Sequence, residues 1–170
     1  MITKTTIECY KIRLDNGTYA DITIDENGNA GRIQIASDYG DWQNYWGACS
    51  TPFKEFLAGL DIHYAASKFG ASGWFDLYKT ISNLKIRIKE YTTDEEEIAA
   101  LENELHDLED STDKDEFVHK MWYSDKLLEM ENSSPDLVMT NHPGFVNFWE
   151  KLWPIFIEQI KTEEQCAKNV

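Results

Sequence analysis

The sequence predicts an α+β fold, with a three- to four-stranded antiparallel sheet at the N-terminus covered by helices, then an acidic helical hairpin and a C-terminal helix. Three observations predict it. Apolar and polar residues alternate with period two as far as Ser37, the signature of half-buried strands. From Thr51 onward, apolar residues instead recur three and four positions apart, as amphipathic helices require. The third observation is charge: residues 92–116 hold twelve carboxylates against Lys114, so eleven of the fifteen net negative charges fall within 25 residues. The 170 residues are 42 % hydrophobic and 13 % aromatic, which is ample for a buried core and too apolar for a disordered chain. One domain is expected, with residues 1–91 as the body, 92–131 as the acidic hairpin and 132–170 as a helix packed back on the body.

The strands come first. Residues 6–14 and 19–24 alternate and flank Asp15-Asn16-Gly17, whose residues tolerate the backbone of a tight turn, so they read as a hairpin. The turn residues Asp25 to Asn29 lead to Arg32–Ser37, with Ile33 and Ile35 on one face. After Asp38-Tyr39-Gly40, the aromatic stretch to Gly47 fits a short fourth strand pairing back on the third.

Helices follow. Thr51-Pro52 has the form of a cap and first-turn proline ahead of Phe53, Phe56, Leu57 and Leu60. Residues 62–69 form a second short helix closed by Gly70, and Trp74, Leu77, Tyr78, Ile81, Leu84 and Ile88 a longer one to Tyr91, whose stripe is expected to cover the sheet. Thr92-Thr93 opens the acidic helix, with Glu95 and Glu96 placed for a capping box. Within it Ile98, Leu101, Leu105 and Leu108 have the spacing of a coiled-coil seam. Phe117, Met121, Leu127 and Leu128 supply the facing stripe, with the turn near Ser111-Thr112-Asp113. The last helix runs from Phe145 to about Gln165 and is kinked or split at Pro154.

The acidic helix is the leading candidate site. Like charges four apart destabilise an isolated helix by roughly 0.2–0.5 kcal/mol per pair. Residues 94–110 contain neither lysine nor arginine to offset this. The carboxylates of Asp94, Glu95, Glu96, Glu97, Glu102, Glu104, Asp107, Glu109, Asp110, Asp113, Asp115 and Glu116 therefore suit a basic partner surface, such as a groove that normally holds phosphates. A solubilising face is the simpler alternative. The seam of Ile98, Leu101, Leu105 and Leu108 supplies another, a self-association module such as a homodimer.

Other constellations carry less. Tyr39, Trp42, Tyr45 and Trp46 form a secondary candidate surface, although their neighbours Asp38 and Asp41 have the wrong sign for nucleic acid, and core packing explains them as well. Glu102, His106 and Asp110 share a helix face and Glu116 with His119 supplies a single ExxH pair, where a di-iron bundle needs two such pairs and two further inward glutamates, so neither metal nor cofactor is expected. No nucleotide-binding, hydrolase or zinc-protease motif is present, and an enzyme is not expected. Cys9, Cys49 and Cys166 are odd in number and lack metal-ligand spacing, which reads as reduced thiols. No apolar run approaches the roughly 18 residues of a membrane span, and no signal peptide is apparent, so the cytoplasm is the expected compartment.

The segments GRIQIASDYGDWQNYWG (Gly31–Gly47) and FKEFLAGLDIHYAASKFG (Phe53–Gly70) resemble a group of small phage and prophage accessory proteins with no assigned activity. The resemblance rests on packing residues and carries no catalytic or ligand set. It implies a phage-type accessory protein whose acidic hairpin supplies function. Proteins of that size and charge are often inhibitors of host defence, including anti-CRISPR proteins. The expected partner is then a basic host protein that normally binds nucleic acid, a nuclease or CRISPR effector, with no direct binding to nucleic acid or membrane.

Overall fold

The computed structural model describes residues 1–2, 4–132 and 134–168. Its chain forms two compact units, residues 1–72 with 141–170, and residues 73–140. The division falls at 73 and 140 instead of 91 and 132 because the helix ending at Tyr91 belongs with the acidic helices.

The first unit is built on strands β1 (Glu8–Arg13), β2 (Tyr19–Asn27), β3 (Ala30–Ser37) and β4 (Gly40–Trp46), an antiparallel sheet in sequential order. The fold is α+β, as the periodicities predict, and the sheet has its fourth strand. Short turns fix the register: Ile22 lies opposite Tyr10 and Ile35, and Ile35 opposite Trp42. Gly17 and Gly28, at φ 89° and 62°, supply the left-handed backbone that the first two turns require. One face of the sheet carries Ile12, Ala20, Ile22, Ile24, Ile33 and Ile35, all buried. Helices α1 (Phe53–Ala58), α2 (Ile62–Lys68), α7 (Pro143–Lys151) and α8 (Trp153–Lys168) share that core through Phe53, Leu57, Ala65, Ala66, Phe145, Phe148, Phe156 and Ile160. Full burial of such side chains is worth about 1.5–3 kcal/mol each, so this cluster dominates the unit's stability. The opposite face, with Arg32, Gln34, Gln43 and Tyr45, is open to solvent.

Two contacts set the helices on the sheet. Phe53 lies where a Cβ on Gly31 would stand, 2.3 Å from its ring, so only glycine admits this phenyl group against β3. A Cβ on Gly144 would come 2.2 Å from the Tyr39 carbonyl oxygen, so α7 begins hard against the turn between β3 and β4. The expected long C-terminal helix is split at Leu152, and Pro154 sits in the first turn of α8, where its missing N–H costs nothing. Pro52, rather than Thr51, occupies the cap position of α1 and makes no side-chain cap bond.

The second unit contains β5 (Trp74–Phe75), α3 (Leu77–Tyr91), α4 (Glu95–His106), α5 (Lys114–Met121), α6 (Asp125–Met130) and β6 (Met139–Thr140). Trp74 is not the start of α3. It pairs with Thr140 in a two-stranded ribbon, and Asp76 caps the helix by accepting the Lys79 N–H at 3.0 Å. The stripe of α3 does not cover the sheet: Ile81, Leu84 and Ile88 are buried with Leu101, Leu105, Leu108, Phe117, Met121 and Leu127 in a separate core. The expected hairpin is thus three helices packed on α3, because α5 stops at Trp122 and the chain restarts at Asp125. The buried Glu131 carboxylate accepts a hydrogen bond from Arg87 and another from the Asp136 N–H at 3.4 Å, which ties the end of α6 to α3.

Candidate interaction surface

Helix α4 owes its start to Asp94, whose carboxylate accepts the N–H groups of Glu96 at 2.9 Å and Glu97 at 3.2 Å. Thr92 is not the cap; its hydroxyl accepts the Asp94 N–H. Glu95, Glu96 and Glu97 then occupy the first turn, where the positive end of the helix favours them. On the inner face Leu101, Leu105 and Leu108 are at most 1 % exposed, and Ile98 is half-buried against the same core. These leucines are therefore committed within the chain and leave no open seam for a second copy. Their burial gives the acidic face a rigid backing.

The twelve carboxylates divide by what they touch. Asp94 and Asp113 are caps, Asp113 accepting the Glu116 N–H at 2.8 Å. Glu104 reaches from α4 to the start of α6 and accepts the N–H groups of Lys126 and Leu127, both at 3.1 Å, where Ser124 provides no side-chain cap. Glu109 is paired with Lys85 at 2.6 Å and with His106 at 3.2 Å, and these partners hold its carboxyl below the usual range. Asp110 pairs with Lys120 at 2.5 Å, which lowers its pKa likewise. Glu116 accepts the backbone N–H and hydroxyl of Thr112 at 2.8 and 2.7 Å and meets Lys120 at 3.1 Å, and together these push its pKa down to about 2. Glu95, Glu96, Glu97, Glu102, Asp107 and Asp115 remain exposed, and among the described residues none of them takes part in an ion pair.

The aromatic stretch has a different fate. Trp42 packs edge-on against Phe145, with centroids 5.2 Å apart. Trp46 is buried among Phe53, Phe56 and Phe69, its indole N–H donating to the Tyr64 hydroxyl at 3.1 Å. Tyr39 is half-buried beneath Lys151. Tyr45 alone of the four is largely open, 59 % exposed on the solvent face of the sheet beside Arg32. As for metal chemistry, the carboxylates of Asp110 and Glu116 hold Lys120, and His119 lies against Tyr123. Among the described residues no group of three or more His, Cys, Asp or Glu is placed to hold a metal ion. Cys9, Cys49 and Cys166 are free thiols.

Residues 1–161 match the model of a phage family, Phage_phiTE_072. The chain belongs to this phage family. No curated protein and no solved structure matches it. The phage character read from the strand, aromatic turn and FKEFL segments thus holds for nearly the whole chain. No described helix of this phage protein is long and apolar enough to cross a membrane.

The sequence reading missed two residues of the phage protein's acidic unit, Trp122 and Tyr123. They follow α5 and are 57 % and 77 % exposed. Their signal lay in the spacing: Phe117, Met121 and Ser124 are buried at helical intervals, and positions 122 and 123 fall off that stripe. Tyr123 also lines an open groove of about 700 Å³ between the end of α4 and α5, together with His106, Asp107, Asp110, His119 and Lys120.

Proposed function

We propose that this phage protein is a non-catalytic accessory protein that inhibits host defence in the host cytoplasm, by occupying a basic surface of a nucleic-acid-handling protein such as a CRISPR effector. One observation carries the reading. Among the described residues Glu95, Glu96, Glu97, Glu102 and Asp107 form no ion pair, and they line a helix whose other face is locked into a core, so the array keeps its shape. A merely solubilising face would be expected to interleave both signs. Residues 73–140 hold eighteen acids and seven bases, a net of −11, against −4 for the remainder. Exposed ion pairs contribute only about 0.2–1 kcal/mol each, so the array acts collectively, and steering should speed encounter at low salt.

The test is protection of a targeted phage in cells carrying a CRISPR nuclease. Wild-type protein should restore plaques, whereas the combined variant Glu95→Gln, Glu96→Gln, Glu97→Gln, Glu102→Gln, Asp107→Asn should not, while melting as wild type does. Glu104 is left intact because it caps α6. Full protection by the variant would overturn the reading.

A further inference from the structure

The groove between α4 and α5 has one open aromatic wall. Tyr123 is 77 % exposed, and its ring is backed by His119 at a centroid distance of 5.0 Å. Burying a tyrosine this exposed is what a binding hot spot does. The charge of the groove selects the occupant: Asp107, Glu109 and Asp110 line it together with Tyr123 and His119, while Lys120 is held by Asp110 and His106 by Glu109. Asp107 is exposed and, among the described residues, has no ion pair or hydrogen-bond partner for its carboxylate. A phosphate or an acidic peptide would meet repulsion here.

The geometry points to an arginine side chain of a basic protein partner as the occupant, its guanidinium lying on Tyr123 and paired with Asp107. This deepens the proposed function and rests on the acidic surface being the one that binds. Arginine suits the site better than lysine because its planar, weakly hydrated head stacks on an aromatic face while its fork still meets a carboxylate. A lysine ammonium is a hydrated point charge and gains less from the ring. The groove therefore adds discrimination between cations to the bulk attraction of the α4 array.

The experiment uses the full chain and two fluorescein-labelled peptides of equal length, oligoarginine and oligolysine, titrated by anisotropy at low ionic strength. Wild type should bind oligoarginine about three- to fivefold more tightly than oligolysine. Tyr123→Leu, which keeps bulk but removes the ring, should abolish that preference, as should Asp107→Asn in part. Glu95→Gln, Glu96→Gln, Glu97→Gln and Glu102→Gln combined should weaken both peptides alike and keep the preference. Equal affinities in wild type, or a preference that survives Tyr123→Leu, would overturn the arginine site and leave the acidic-surface reading standing. Failure of both peptides to bind wild type would overturn both.

Discussion

Glu104 offers the sharpest test of how the acidic unit is held together. Its neighbour Glu102 lies on the same helix and carries the same charge, but among the described residues its carboxylate accepts no hydrogen bond, whereas Glu104 satisfies the N–H groups of Lys126 and Leu127 at the start of α6. Among the described residues those donors have no other side-chain cap, since Ser124 turns its hydroxyl to the Lys120 carbonyl at 3.2 Å. Losing a helix cap costs about 0.5–2 kcal/mol, and hydrogen bonds to a charged acceptor are worth about 1.5–3 kcal/mol. Leu127 is fully buried, so water reaches its N–H poorly and the upper half of the range applies. Glu104→Ala should therefore lose about 1–3 kcal/mol of stability by urea unfolding, Glu104→Gln less because an acceptor remains, and Glu102→Ala within about 0.5 kcal/mol of nothing. Equal midpoints for Glu104→Ala and Glu102→Ala would refute the assignment of Glu104 as the cap of α6.

Further outcomes follow from the same contacts. Leu101→Ala with Leu105→Ala should cost several kcal/mol, since each such core truncation costs about 2–5 kcal/mol, with no change of mass in sedimentation; a change of oligomeric mass without loss of stability would restore the seam as an interface. Gly144→Ala must displace either the new methyl group or the Tyr39 carbonyl 2.2 Å away, and should cost about 1–3 kcal/mol by thermal unfolding; a neutral result would mean that α7 can shift freely. The Glu116 carboxyl is lowered from its ordinary 4.5 to about 2, so its contribution is present above pH 4.5 and lost as pH falls toward 2. Glu116→Gln should flatten the decline of stability in that window, and parallel curves for the two proteins would contradict the Thr112 and Lys120 contacts.

How far the fold was legible depended on how local its signals are. The strands of the sheet could be read because alternation and turn residues lie within each hairpin, as Asp15 to Gly17 between β1 and β2 illustrate. Helix α3 could be read as a helix but not as to what it covers, because an apolar stripe of Ile81, Leu84 and Ile88 suits a sheet or a second helix equally well. The same holds for Leu101, Leu105 and Leu108, whose spacing serves a dimer and an internal core alike. At the candidate surface the charges were plain, while their division was not: Glu104 meets partners 22 and 23 residues away, and Lys85 comes to Glu109 from another helix. Core packing was legible as one reading of Trp42 and Trp46, but its partners were not: Phe145 comes onto Trp42 from far along the chain, whereas Phe53 reaches Trp46 from the helix that follows β4.

The ribbon of Trp74–Phe75 with Met139–Thr140 has a consequence for how such a protein can change. Within the first unit the His142 N–H donates to the Ala71 carbonyl at 2.7 Å, and within the second, Trp74 lies opposite Thr140. The acidic unit is thus a single uninterrupted stretch of chain, residues 73–140, set between two parts of the sheet domain's sequence. Closing a loop twice as long costs only about 0.6 kcal/mol more. Residues 76–138, between the two strands of the ribbon, can therefore be lengthened, recharged or exchanged without re-threading a strand of the sheet, and the acidic unit can diverge while the sheet domain is kept.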